Sequence, residues 1–414
     1  MHYSWIIACT GTLVLMLTTG FGKLSYSLIL PSMKSGLALT YTQAGLIGTA
    51  NMVGYLPLAL IGGFVAVRFG SRRTIFISLM VMGISLFLTG LSHSFAFALF
   101  MRCITGMGNG AAVVPMMALT APWFCTRMRG LAAGIITAGI GIGLSLGGLF
   151  IPFLVTRFGP DGWRYAWFVL GGIVFAFSFV CYAFLRDSPA EKGTSMFGGV
   201  EERRDRGAVS FFSAWAEVTK RKEVWNLAVL YFIFGFSYII YMTFIVAYLA
   251  GEGGLAPQAA GKIFAVLGLA SIVSGVLWGW ISDSIGRRYG LALAYVTLAL
   301  ACLICVFWRS SAGYYLSATV FGLTLACGPS IMSATIGDLM GERLAPAALG
   351  VITLVFGIGQ ALGPFVGGWL KDSTGTFAGV FMLSAVVLLT GAAGALMLMK
   401  SAEVQAVRNE RGEG

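Results

Sequence analysis

Apolar positions along this chain fall in long blocks, separated by short breaks of charged residues, proline and glycine. Twelve blocks stand out, near 5–30, 43–66, 74–92, 95–121, 130–156, 164–186, 224–250, 257–282, 289–308, 312–337, 345–370 and 375–399. They run roughly 20 to 28 residues, the length a helix needs to cross about 30 Å of hydrocarbon. They are rich in Leu, Ala, Gly, Ile and Phe and lack the two-residue alternation of a barrel strand. The pattern predicts an all-α integral membrane protein with twelve transmembrane helices. The first block has a very short polar lead, no small-residue cleavage site and a lysine, Lys23, so it is expected to be a retained helix and not a signal peptide.

Composition sharpens this picture. Of 414 residues, 58% are hydrophobic and only 10% charged, against about 25% charged in soluble domains. Such a chain cannot cover a water-facing surface with polar groups, so its main partner is the lipid bilayer. The net charge of +11 follows from where the cations sit. With the N-terminus placed in the cytoplasm, nineteen of the 27 basic residues fall in cytoplasmic segments and six in the opposite loops. The positive-inside rule therefore places both termini in the cytoplasm of a cell with an inner or plasma membrane. No basic soluble domain exists to bind nucleic acid. The seven cysteines lie in or at the ends of blocks without a metal-ligand pattern, and Cys302 and Cys305 have no histidine beside them. No cofactor or metal is expected, and no cluster of catalytic groups points to an enzyme.

The chain repeats itself. "GFVAVRFGSRR" (63–73) matches "GWISDSIGRRY" (279–289), and "GIITAGIGIGLSLGG" matches "GVITLVFGIGQALGP", both at an offset of 216 residues. The same offset relates Gly106 to Gly322 and Gly159 to Gly375. It spans six helices and their loops, so two six-helix bundles, 1–187 and 224–400, are expected in parallel orientation. A cytoplasmic linker at 188–223 joins them, with a short surface helix near Phe211–Lys222, and a cytoplasmic tail follows at 401–414. Repeats of this kind are the plan of transporters that rock about a midplane site.

These residues resemble the major facilitator superfamily along nearly the whole chain. Its loop signature, Gly-x-x-x-Asp-Arg-x-Gly-Arg-Arg, is similar to Gly63, Arg68, Gly70, Arg72 and Arg73, with Val67 in place of the acid. The second copy keeps the acid in Gly279, Asp283, Gly286, Arg287 and Arg288. Arg102 and Gly106 resemble the motif of the fourth helix, and Gly139, Gly143, Gly147, Gly148 and Pro152 the glycine-rich motif of the fifth. The first half looks closest to monocarboxylate porters and oxalate/formate antiporters. It departs from the former in the eighth helix, where "VSGVLWG" has Gly275 and no substrate-binding arginine. The resemblance implies two pseudo-symmetric bundles, alternating access, and loop signatures acting as gating latches. The latch is expected to be asymmetric, since Asp283 can close it and Val67 cannot.

Two cations, Lys23 and Arg102, lie inside blocks, while none of the 16 acidic residues lies in the middle of one. Counted from the expected helix ends at Leu30 and Phe95, both sit about 10 Å below the surface opposite the termini. One reading makes them a site for a small organic anion, a carboxylate, with Asn51, Tyr26 and Asn109 beside them and Tyr238, Tyr241 and Gln360 contributed by the second half. Arg102 offers two parallel hydrogen bonds and Lys23 a point charge. The other makes Lys23 a snorkelling side chain and Arg102 a structural donor to backbone carbonyls, in a carrier of neutral or hydrophobic solutes. Proton symport and anion exchange both remain open, and a monomer is expected.

Overall fold

The computed structural model describes residues 2–199 and 211–410; the "EERRDRG" run and the last four residues of the tail lie outside them. The described residues are helical almost throughout, with one isolated β-bridge between Phe124 and Phe197. Eleven helices are long and apolar enough to span a membrane, and a bent pair makes a twelfth. They are α1 (Tyr3–Gly36), α2 (Tyr41–Phe69), α3 (Ser71–Gly90), α4 (Phe95–Trp123), α5 (Thr126–Arg157), α6 (Gly159–Phe184) and α7 (Lys222–Gly251). Then follow α8 (Pro257–Ile285), α9 (Arg287–Phe307), α10 (Ser311–Gly341), α11 (Arg343–Thr374) and α12 (Phe377–Met397). The expected linker helix forms over Phe211–Val218 and stops there.

Three boundaries have visible causes. Gly70 and Gly286, with φ of +88° and +91°, make the turns α2–α3 and α8–α9, a backbone region open to glycine and strained for other residues. Helix α8 bends by 48° between Ser271 and Ser274, where the Ser271 hydroxyl donates to the Gly268 carbonyl and Gly275 follows. Helix α1 does not end near Leu30 as expected. Pro31 removes one backbone donor, but neighbouring helices tolerate this and the helix continues to Gly36.

The contacts fall into two compact units. The first gathers Met1–Arg206, Met242–Ile272 and Pro364–Phe377; the second gathers Gly207–Tyr241, Val273–Gly363 and Ala378–Gly414.

In the first unit, α5 packs through two stripes of glycine. Gly139, Gly143 and Gly147, four residues apart, face α1: a Cβ on Gly143 would lie 2.9 Å from the Gly20 Cα, and one on Gly147 would lie 2.9 Å from the Ser25 hydroxyl. Gly141 and Gly148, seven apart, face α8: a Cβ on either would lie 2.6 Å from a backbone carbonyl oxygen, of Gly268 and Gly261 respectively. In lipid, where burying apolar surface drives nothing, such backbone approach supplies the dispersion contact that holds helices together. The second unit is packed with aromatic rings instead. Tyr231 stacks on Phe356 at 4.2 Å, Phe234 on Tyr238 at 5.0 Å and Tyr241 on Phe321 at 3.9 Å.

Candidate functional site

The site begins with an irregularity in α1. Met16–Leu24, "MLTTGFGKL", is wound as a π-helix, and the Ser25 N–H donates to Gly20 O, five residues back, at 3.0 Å. Gly20 and Gly22 permit it: Gly20 abuts Gly143, and a Cβ on Gly22 would lie 2.7 Å from the end of the Met82 side chain. A wide turn leaves carbonyls poorly used by the helix itself, and such bulges cluster at functional positions.

Helix α4 uses those carbonyls. Arg102 Nη1 donates to Gly22 O at 2.6 Å and Nη2 to Lys23 O at 3.5 Å, and Asn109 Nδ2 donates to Thr18 O at 3.1 Å. Arg102 and Asn109 are seven residues apart, so both lie on one face of α4. Arg102, 1% exposed, also sets its guanidinium against the rings of both Tyr26 and Trp167, at 5.2 and 5.0 Å. Tyr26 is fixed in turn by donating its hydroxyl to Ala44 O at 2.7 Å. From α2, Asn51 Nδ2 donates to Arg102 O at 3.2 Å. Arg102 Nε, Asn51 Oδ1 and Asn109 Oδ1 are buried without a protein hydrogen-bond partner.

Five of the sequence-predicted residues, Lys23, Arg102, Tyr26, Asn51 and Asn109, thus meet in the first unit. Their division of labour is sharper than expected. Arg102 directs its guanidinium at backbone, while Lys23 stays partly exposed, with its ammonium 5.3 Å above the Tyr55 ring. Lys23 is also deeper than expected: with α1 running to Gly36, it lies thirteen residues from that end, about 20 Å at 1.5 Å per residue. Tyr55 and Trp167 escaped the sequence reading. Tyr55 follows Asn51 by one helical turn, a signal that was present; Trp167 comes from α6 and had none.

Tyr238, Tyr241 and Gln360 belong to the second unit. Gln360 Nε2 lies 2.5 Å from the Tyr238 hydroxyl, both buried. Tyr241 is fully buried, 2.7 Å from Ser317 Oγ, and so belongs to the packed interior.

The two loop signatures differ. In the first, Asp187 beyond α6 occupies the place next to Gly70 and accepts the Arg72 N–H at 2.8 Å, while Arg72 Nε donates to Tyr182 O at 2.8 Å over the Tyr182 ring. Val67, Arg68 and Arg73 are exposed. In the second, Arg287 bridges Asp283 and Asp338, donating to Asp338 at 2.9 Å, and also donates to Ser282 Oγ at 2.8 Å; Arg288 lies over Tyr289. Gly63 and Gly279 have open space where a Cβ would stand. Among the described residues, no group of three or more His, Cys, Asp or Glu is arranged to hold a metal.

The sequence profile described as "Uncharacterised MFS-type transporter YbfB" matches residues 15–397, and the chain belongs to this family of the major facilitator superfamily. It is a multi-pass membrane transporter and not an enzyme. The "Probable sulfoacetate transporter SauU" of Cupriavidus necator is 25% identical over 407 residues, covering 94% of this chain and 93% of that protein. The "3-(3-hydroxy-phenyl)propionate transporter" of Escherichia coli is 28% identical, covering 89% and 88%, and the "Hexuronate transporter" of Bacillus subtilis is 22% identical, covering 86% of each chain. In fold, the chain is similar to a bacterial homologue of the human lysosomal transporter Spinster, solved in an inward-facing, unoccupied conformation. The TM-score is 0.80 at 16% identity, with 96% of this chain and 97% of that one covered.

Proposed function

We propose that this protein is a secondary active transporter that carries a small organic anion, a carboxylate or sulfonate, by alternating access. The observation that carries this reading is the clamp of Arg102 on the carbonyls of Gly22 and Lys23. It spends one buried cation on backbone and holds the backbone of another, Lys23, in place, with the Lys23 ammonium 5.3 Å above the Tyr55 ring. The surroundings favour negative charge, since the first 160 residues contain no aspartate or glutamate at all. Lys23 then meets the anion as a point charge, and Tyr55 meets its body. Arg102, Asn51, Asn109 and Tyr26 position that pair. Relatives whose names specify organic acids support the substrate class. The distribution of basic residues supports an inner or plasma membrane location with both termini cytoplasmic.

The test is uptake into proteoliposomes of sulfoacetate, an aryl propionate, a hexuronate and an uncharged sugar, with and without a pH gradient. Anion uptake should exceed sugar uptake and fall at least about 100-fold in Lys23→Gln, the loss of a desolvated charge–charge contact, with partial recovery in Lys23→Arg. Stimulation by an inward proton gradient identifies symport; stimulation only by anion loaded on the opposite side identifies exchange. A second reading, a neutral solute with both cations structural, is favoured by the Arg102–carbonyl bonds. Sugar uptake at or above anion uptake in the wild type would establish it and sink the first, whereas wild-type-like anion uptake in Lys23→Gln would strip Lys23 of the role assigned here.

A further inference from the structure

We infer that Asp372, at the end of α11, is the strut that holds α2 and α11 together at the end of the first unit away from the chain termini, and that its removal opens the α5–α8 seam as well. The first turn of any helix leaves backbone donors without partners. In α2 they are satisfied from two sources. Thr40 Oγ1 accepts the Gln43 N–H at 3.1 Å in a capping box of its own, which is local. The N–H groups of Tyr41 and Thr42 donate instead to the two oxygens of Asp372, at 3.0 and 2.7 Å, and the Thr42 hydroxyl adds a third bond at 2.6 Å. A carboxylate from 330 residues away thus completes the cap of α2 and faces the positive end of its dipole.

The backbones below the strut are in direct contact. A Cβ on Gly45 would run into the Pro364 carbonyl, and one on Gly368 into the Tyr41 carbonyl. Beside it, Lys371 Nζ binds Glu252 at 2.7 Å next to the rings of Tyr41 and Phe377, and Glu252 also accepts the Phe377 N–H at 2.6 Å. Lys34 Nζ also stands 4.5 Å over the Tyr41 ring. The second seam in this unit, α5 on α8, is equally close, through Gly141–Gly268 and Gly148–Gly261 and the Ser145 hydroxyl on Ala265 O at 3.1 Å. Near its end Gln258 Nε2 donates to Thr156 Oγ1 at 2.6 Å, and Ile272 and Pro152 pack against Gly141 and Gly261. Glu252, which precedes α8, is tied through Lys371 and Phe377 to the end of α11 beside Asp372, so release of the strut loosens the start of α8 together with α2.

Amide hydrogen exchange on the full-length protein in lipid nanodiscs tests this without any substrate. In Asp372→Ala, exchange at Tyr41–Ala44 should rise about 5- to 30-fold, the worth of a carboxylate on a partly buried helix N-terminus. A rise of at least about 3-fold should appear with it at Gly261–Gly268 of α8. Asp372→Asn, which keeps an acceptor of the same shape, should fall between the wild type and Asp372→Ala. Faster exchange confined to Tyr41–Ala44 would reduce Asp372 to a local cap and overturn the inference, and so would unchanged exchange at both places.

Discussion

Replacing Arg102 by methionine separates its two assigned roles most cleanly. Methionine keeps an unbranched apolar stem as far as the place of Nε and removes the charge and the donors. Lost are one short charge-assisted bond to Gly22 O at 2.6 Å and a longer one to Lys23 O at 3.5 Å, worth together about 1.5–3 kcal/mol. Lost also are the cation–π contacts with Tyr26 and Trp167 at 5.2 and 5.0 Å, about 1–2 kcal/mol when desolvated. Set against this, a guanidinium 1% exposed no longer has to be buried, and relief of that kind offsets a substantial part of such losses. The expected net destabilisation is about 2–4 kcal/mol. It is measured as the denaturant midpoint in detergent, followed by the fluorescence of Trp167 and its neighbours. Transport should fall because Lys23 is displaced, and Arg102→Lys should recover stability and transport together. A variant Arg102→Met with stability within about 0.5 kcal/mol of wild type and no anion transport would refute the reasoning. Arg102 would then be a substrate ligand, and the carbonyl bonds incidental.

The glycine stripes predict contrasting effects on one helix. Gly143→Ala puts a methyl 2.9 Å from the Gly20 Cα and 3.0 Å from Met16 O and should cost about 1–3 kcal/mol as overpacking. Gly134→Ala meets nothing within 4 Å and should gain about 0.5–1 kcal/mol from helix propensity; equal denaturation midpoints for the two would count against the packing account. Glu252 gives a pH effect. Burial pushes its carboxyl up, but the Lys371 ammonium, the Phe377 N–H and the Thr376 hydroxyl overcome this and hold it below the ordinary glutamate value. Its contribution is therefore complete above about pH 4.3, the ordinary value, and is lost as pH falls through the lower folded value. Glu252→Gln should flatten the acid limb of a stability–pH profile measured by thermal denaturation; an unchanged limb would remove the charge from the account.

Most of the fold was legible in the sequence because lipid imposes a simple rule: a crossing segment must be apolar and must satisfy its own backbone. Block lengths and charged breaks then locate the helices to within a few residues. What escaped were details set by neighbours. The sequence marks Pro31 as a stop, yet α1 runs on to Gly36 because packing, not local propensity, decides where it ends. Asp187 reads as the last residue of the first bundle, at the edge of the polar linker, yet it caps α3 beside Gly70, where the signature acid is missing at Val67. An acid absent from one position of a motif was supplied through space from the loop after α6, which no linear pattern records.

The candidate site was legible in its residues and not in its wiring. Lys23 and Arg102 stand out as cations in apolar blocks whatever the fold, because a charge in hydrocarbon needs a reason. Their relation depends on the π-helical turn at Met16–Leu24, and "TTGFGK" carries no mark of it beyond two glycines. Once the turn exists, its carbonyls need donors, and α4 supplies them at a seven-residue interval through Arg102 and Asn109. The symmetry of the repeat breaks at this same place: the counterpart of the Lys23 segment, "GFSYIIY", has Tyr238 in place of the lysine, and its hydroxyl lies against Gln360 instead of reaching into a charged cluster. The charge, the irregular turn and the clamp that holds it all occur in one half only. Duplication accounts for the scaffold, and the departure from it marks where the two halves took different work.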